Sequence, residues 1–241
     1  VKNAAVIGGG LLGLELAQSL LERGCLVTVF EGSPLLLPRN LDEEAAGFVL
    51  KKLGEIENLT LRFGCRVEAI AGEAGKATGV TLQDGTNEAD LVMVSAGVRS
   101  NIEVAAAAGI PCSRGIVTDR FLRTGIADIY AAGDCAEVEG ASYGLYDAAR
   151  SMGTVAAHNL LGEEQPFVPQ AYPARLSVFG IKLFSAGKLA GARSETTQDA
   201  ATGTFQKRFY DEADRLVGCI LVGDLREAVK LQSQIAVPTQ G

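Results

Sequence analysis

A turn of Gly8-Gly9-Gly10-Leu11-Leu12-Gly13, set between the apolar run Ala4-Ala5-Val6-Ile7 and a segment of helical periodicity, restricts this chain more than any other feature. Leu11, Leu14, Leu16, Ala17, Leu20 and Leu21 share one helical face up to Arg23-Gly24, a basic last turn with a glycine stop. The segment reads as strand, tight turn, helix. Leu26-Val27-Thr28-Val29-Phe30 follows as a buried strand that ends on Glu31, after which Gly32-Ser33-Pro34 breaks it. Two strands joined through a helix imply a right-handed parallel crossover, so an α/β fold is predicted at the amino end.

The turn carries chemistry as well as shape. A pyrophosphate needs backbone N–H donors at close range with a helix dipole behind them, and glycine at Gly8 and Gly10 lets the chain approach that closely. Leu11 opens the helix, and Gly13 allows helix and strand to pack tightly. A bare G-x-G-x-x-G is weak evidence. Here it follows a strand, opens a helix and is trailed by Glu31 about twenty residues on, which together point to dinucleotide binding. Glu31 can accept both ribose hydroxyls of an adenosine, whereas a 2′-phosphate beside it would be repelled, so NADH is favoured over NADPH with Arg39 the cation most able to reverse that. To this point the fingerprint could equally hold the adenosine end of FAD.

Along the remaining chain, Leu41 to Leu53 reads as a second helix with Asp42, Glu43 and Glu44 in its first turn. From Leu59 to Val94 short strands punctuated by glycine predict an antiparallel meander, with Asp84-Gly85 a hairpin turn between Val80-Thr81-Leu82 and Ala89-Asp90-Leu91. Leu91-Val92-Met93-Val94 returns as a buried strand and delivers Ser95-Ala96-Gly97 to its carboxyl end, where open α/β sheets place ligands. Gly115 to Asp134 should hold two more strands and Gly144 to Leu161 a helix. Glycines and prolines from Gly162 to Pro173 mark a boundary; Leu176 to Leu189, Thr204 to Tyr210 and Leu216 to Val222 then alternate like strands before a closing helix from Leu225 to Ile235.

Composition narrows the partners. Acidic residues outnumber basic ones by 29 to 22 with no Lys/Arg run, so nucleic acid would be repelled overall. No stretch of about eighteen apolar residues occurs and the apolar start has no basic n-region, so no membrane span or export signal is expected. Cys25, Cys65, Cys112, Cys135 and Cys219 are scattered and odd in number, which fits reduced thiols in a cytoplasmic protein and offers no metal ligand set. His158, the one histidine, reads as surface or packing rather than as a base.

Four blocks, GGGLLGLELA, VMVSAGVRSN, TDRFLRTGIADIYAAGDCAEV and LSVFGIKLFSAGKL, together resemble the FAD-dependent pyridine nucleotide-disulphide oxidoreductases, with the closest likeness to rubredoxin reductases and the flavin portion of NADH nitrite reductases. The resemblance implies an α/β architecture of three parts: a Rossmann-like NAD(H) domain over 1–112 with a parallel sheet and an antiparallel meander, a second segment of an FAD domain over 113–165, and a small α+β domain over 166–241. Gly8, Gly10, Leu11, Gly13 and Glu31 then resemble the NADH cradle, Glu15 the carboxylate that holds the nicotinamide amide, and Gly97 the glycine over which NADH lies. Gly133 and Asp134 resemble the pair that meets a flavin ribityl hydroxyl, and the helix from Gly144, with Tyr146 in its first turn, would aim its positive end at the flavin. Three positions depart from the pattern. Ser100 stands for a proline, and Tyr146 and Met152 stand where Trp and Gln are usual.

The function so implied is hydride transfer from NADH to FAD and electron transfer onward to an acceptor such as rubredoxin or a nitrite reductase module, with no side chain acting as acid, base or nucleophile. The family's first FAD segment has no counterpart before Val1, so an isolated chain would hold FAD weakly, show reduced activity and cover its exposed edges by pairing with a second copy. Two other readings stay open. The glycine turn could bind FAD in a single-nucleotide flavoprotein, or the chain could be a non-catalytic NADH-binding module.

Overall fold

The computed structural model describes residues 1–236. The chain divides into two compact units, Val1–Gly97 together with the chain from Pro173 onward, and Val98–Tyr172. In the first unit β1 (Asn3–Ile7), α1 (Leu11–Leu21), β2 (Leu26–Phe30), α2 (Glu43–Leu53) and β3 (Leu59–Arg62) alternate as the periodicities require. An antiparallel sheet of β4 (Val67–Glu73), β5 (Lys76–Leu82) and β6 (Gly85–Glu88) intervenes before β7 (Leu91–Val94) returns to the parallel sheet, whose order is β3-β2-β1-β7. That sheet is buried on both faces. Ala4, Val6, Val27 and Val29 pack on Ala17 and Leu20 of α1, whereas Ala5 and Phe30 pack on Val80 and Leu82 of the meander. Burial of this kind explains why its two central strands are continuous apolar runs.

Three expectations for this half need correction. β3 pairs in parallel with β2 and so belongs to the doubly wound sheet rather than to the meander. The hairpin closes between Leu82 and Gly85, so its second strand is Gly85–Glu88, ahead of the apolar Ala89-Asp90-Leu91. A polar edge strand lacks the apolar alternation by which sequence reveals strands. β7 is partly exposed rather than buried, with Val94 61% exposed.

The second unit holds α3 (Glu103–Ala107), β8 (Ile116–Thr118), β9 (Ala136–Val138) and α4 (Tyr146–Leu160). β8 and β9 pair in parallel. The second expected strand therefore follows Asp134 instead of preceding it; Ile129 to Ala132 forms only an isolated bridge, Arg123 to Tyr130. Leu122, Val138, Met152 and Phe167 anchor this unit's core. Asn159, buried near the end of α4, donates to the carbonyls of Phe121 and Gln165 and accepts from the Gln165 N–H, tying the following loop to the helix.

After Pro173 comes a five-stranded antiparallel sheet, β10 (Ala174–Val178), β11 (Ile181–Gly187), β12 (Arg193–Asp199), β13 (Thr204–Tyr210) and β14 (Leu216–Val222), in the order β10-β11-β14-β13-β12, closed by α5 (Ala228–Gln234). The apolar stretch from Leu176 to Leu189 is two strands, not one, because Phe179 and Gly180 adopt φ of 51° and 71° and fold it into a hairpin. β12 escapes sequence reading altogether: all seven residues of RSETTQD are exposed, so no apolar residue marks it. The sheet's other face meets α2, with Ala45, Val49 and Leu53 against Leu183, Phe205, Ile220 and Val222 in one cluster that also takes in Leu14 of α1.

β13 alternates faithfully, and that places Lys207 on the core side between Phe205 and Phe209. Its ammonium is 2.6 Å from Asp42 Oδ2 and 2.6 Å from Glu44 Oε2. Asp42 also caps α2 by accepting the Ala45 N–H at 3.0 Å. Burial pushes the Lys207 pKa down, but the two carboxylates outweigh it and leave it above its ordinary value of 10.5. Lys207→Met is expected to lower the unfolding free energy by about 2 kcal/mol, since it leaves two partly exposed carboxylates unpaired. Because the folded pKa is raised, the contribution is whole below pH 10.5 and disappears as pH climbs past the folded value. Urea unfolding of both proteins at neutral pH and above pH 11 checks magnitude and sign.

Candidate functional site

Strand order sets the first site. From β1 the chain crosses through α1 to β2 on one side, while β7 lies against β1 on the other, so connections part at the carboxyl ends of β1 and β7 and leave a crevice. Gly8 ends β1 with φ of 105°, and a Cβ there would overlap the carbonyl oxygen of Ser95 at the end of β7. A Cβ on Gly13 would overlap the Gly8 carbonyl. Gly8 and Gly13 are thus demanded by the protein's own packing. Gly10 differs: its backbone is ordinary, φ −70° and ψ −178°, and a Cβ there would meet no protein atom within 4 Å. As the N-cap of α1 it leaves open space in front of the helix start.

The amino terminus of α1 is left open. Gly10 is its N-cap and offers no side chain, and no acid occupies the first turn. By contrast α2 has Asp42 as cap and Glu43 and Glu44 in its first turn. The N–H groups of the first turn thus have no side-chain cap, and the positive dipole end of α1 there would favour negative charge. Leu11, in that first turn, is half-buried against the main core, and Leu12 is exposed.

Glu31 lies at the end of β2 and is half-buried. Gly9 N–H donates to its Oε2 at 2.7 Å and Ser33 N–H to its Oε1 at 2.8 Å, so both oxygens are positioned by backbone while keeping lone pairs for further donors. Sequence reading assigned Gly9 no role. Its role was hidden because it acts through the main chain, although a Cβ there would come within 3.1 Å of Glu31. Arg39 is exposed and makes no ion pair among the described residues. Glu15, one turn into α1, is exposed with no hydrogen bond among the described residues. Gly97 follows Ser95 with φ of 91° and open space at its Cβ position. Gly8, Gly10, Leu11, Gly13, Glu31 and the Ser95–Gly97 strand end are therefore drawn to one crevice.

In the second unit Gly133 and Asp134 open a 3₁₀ turn, Gly133–Cys135. Gly133 has φ of 82° and its N–H donates to Met152 Sδ at 3.3 Å. Met152 is fully buried, so this departure from the family pattern supplies an acceptor beneath the turn from within the core. Asp134 is exposed and its carboxylate accepts no hydrogen bond among the described residues. Ser100 also acts here: its Oγ donates to the Asp134 carbonyl at 2.6 Å, a tether that proline could not provide. Tyr146 begins α4 and is 80% exposed. His158, at the other end of α4, pairs with Glu163 at 2.7 Å.

A doubly wound sheet with an uncapped, glycine-lined helix start and an acid at the second strand's end defines a dinucleotide-binding fold. Comparison with known proteins agrees: residues 1–154 match the pyridine nucleotide-disulphide oxidoreductases and residues 173–238 the C-terminal domain of rubredoxin NAD+ reductases. The chain belongs to the pyridine nucleotide-disulphide oxidoreductase family. It is 37% identical over 242 residues to a nitrite reductase [NAD(P)H] of Bacillus subtilis, covering 97% of this chain and 29% of the relative. It is 30% identical to a rubredoxin-NAD(+) reductase of Alcanivorax borkumensis, covering 97% and 62%. A ferredoxin reductase from Rhodopseudomonas palustris superposes with a TM-score of 0.85 at 30% identity, covering 98% of this chain and 61% of the other. The chain thus spans less than two thirds of these relatives.

Met152→Leu keeps volume but removes the sulfur acceptor, so the second unit should lose about 1 kcal/mol. Faster hydrogen exchange at the Gly133 amide, with exchange of the β1 and β2 amides unchanged, is the expected signature.

Proposed function

We propose that this chain forms the NADH-binding part, and some of the flavin-binding part, of an NADH-dependent flavoprotein reductase that passes electrons to an acceptor protein. The observation that carries the reading is the bare Gly10 at the uncapped start of α1, beside a Glu31 whose two oxygens are already aimed by Gly9 and Ser33. In this division residues 1–112 hold NADH, residues 113–165 contribute to the flavin site and residues 166–241 form the C-terminal domain. When bound, NADH and FAD supply the hydride and electron transfer. The chain's own residues bind and align: Gly8, Gly10, Leu11 and Gly13 cradle the diphosphate, Glu31 takes the adenosine ribose hydroxyls, Glu15 and Gly97 position the nicotinamide end, and Gly133, Asp134 and Tyr146 serve the flavin.

The acceptor is a protein such as rubredoxin or a nitrite reductase module; a rubredoxin reductase, a ferredoxin reductase and a nitrite reductase are among the relatives. Five free cysteines support a reducing, cytoplasmic setting. No described helix is long and apolar enough to cross a membrane.

Calorimetric titration of NADH tests the reading. Gly10→Ala should fold with unchanged unfolding midpoint yet bind NADH at least about tenfold more weakly, a loss of roughly 1.4 kcal/mol. Gly13→Ala, whose methyl overlaps the Gly8 carbonyl, should be destabilised as well. A Gly10→Ala protein that binds NADH as the parent does would sink the proposal. Glu31→Ser should narrow the preference for NADH over NADPH by about tenfold; an unaltered ratio would remove Glu31 from the ribose site.

A further inference from the structure

The first unit contains a cavity away from the glycine turn, of volume ≈ 470 Å³, where the last turn of α2, the β10–β11 hairpin, the β12–β13 turn and the exit of β14 converge. Gly180, Gly203 and Gly223, with φ of 71°, 65° and 82°, make the three tight turns that line it. Its charges are Lys52, Lys182, Arg226 and Asp224. Arg226 clasps Asp224 through Nε at 2.9 Å and Nη2 at 2.6 Å, which holds the Asp224 carboxyl at a pKa of about 2 and neutralises that pair among themselves. Lys52 and Lys182 are left without an acidic partner among the described residues, in a chain of formal net charge −7.

Lys52 is fixed rather than free. It is half-buried, its Nζ stands 5.5 Å from the Phe48 ring centroid, and it fills the space that a Cβ on Gly203 would take. A partly desolvated ammonium without a counter-ion is costly, so an anion that enters would relieve it. The dipole of α2 favours cations in its last turn and accounts for Lys51 and Lys52 in part. It gives no reason for Lys182, on a different element, to line the same space.

We propose that this cavity binds a small phosphorylated molecule, its phosphoryl group lying between Lys52 and Lys182. The volume falls in the range of about 300–1,000 Å³ typical of small-molecule sites, and the space is open to solvent on one side. The charge calls for an anion. Thr202 and Thr204 of the β12–β13 turn also line the space; the Thr202 hydroxyl donates to Asp199 Oδ2 at 2.8 Å and lies 3.0 Å from that of Thr204.

Pyrophosphate is the probe, titrated calorimetrically into the full chain with and without saturating NADH, so that the glycine turn is occupied in one arm. Saturable binding is expected in both arms, weakened about tenfold by Lys52→Gln and by Lys182→Gln, with NADH affinity unchanged. Amide chemical-shift changes in the unsubstituted protein should centre on Gly180, Lys182 and Gly203, a readout that needs no variant to fold. Pyrophosphate binding lost once NADH is present, insensitivity to both substitutions, or shifts confined to Gly8–Gly13 would overturn the proposal. Binding of an acidic peptide without pyrophosphate would overturn it too, in favour of protein docking.

Discussion

The approach of Gly13 to the Gly8 carbonyl is the contact on which the amino half depends. With no Cβ on Gly13, α1 begins directly over the end of β1, and its N–H groups and dipole are delivered to the crevice between the carboxyl ends of β1 and β7. The same turn presses Gly8 on Ser95 and gives the Gly9 N–H to Glu31. Ends of three parallel strands are thereby fastened around one six-residue loop through backbone groups. Side chains enter only as Glu31, which is why the loop tolerates so few residue types yet needs no particular polar ones.

Behind the loop, α1 is held from the carboxyl-terminal sheet. Gln18 Oε1 accepts the Phe179 N–H at 2.8 Å at the tip of the β10–β11 hairpin, and the Phe179 ring packs on both the parallel-sheet core and the core shared with α2. Leu14, fully buried on α1, joins the same cluster as Leu183 and Phe205. Fully burying side chains of this size is worth about 1.5–3 kcal/mol each. The sheet after Pro173 thus steadies the helix that opens at the glycine turn, and the two parts of the first unit share one core.

Legibility in the sequence followed burial. The elements with two apolar faces or a clear stripe, β1, α1, β2 and α2, stand where their periodicities put them, since a register slip would expose the whole set. Glu31 was visible by its spacing from the glycines. β12 and β6 were hidden because edge strands gain from backbone pairing and carry polar residues on both sides. The hairpin at Phe179 was hidden because a phenylalanine at φ of 51° violates local preference; tertiary packing on two cores overrides it. Likewise Ser100 and Met152 looked like losses relative to the family. In three dimensions each binds the Gly133-Asp134 turn, from the loop side and from the core side.

Satisfaction of charge marks the groups that fasten the fold. Glu137 is buried and receives the N–H groups of Arg114 and Gly115, and Lys207 is buried and receives two carboxylates; both are closed constellations whose partners come from distant elements, and both fasten the fold. Asp134 and Glu15 are exposed carboxylates with no hydrogen bond among the described residues, one beside Gly133 and the other on the helix that starts at Gly10. Glu31 stands between these classes, oriented by two backbone donors but with acceptor capacity left over. A carboxylate oriented in advance loses little freedom when hydroxyls arrive, so its interaction with a ribose is not offset by ordering its own side chain. On the proposed reading, discrimination at that position would follow from rigidity as much as from charge: a 2′-phosphate would meet a negative group that Gly9 and Ser33 prevent from swinging away.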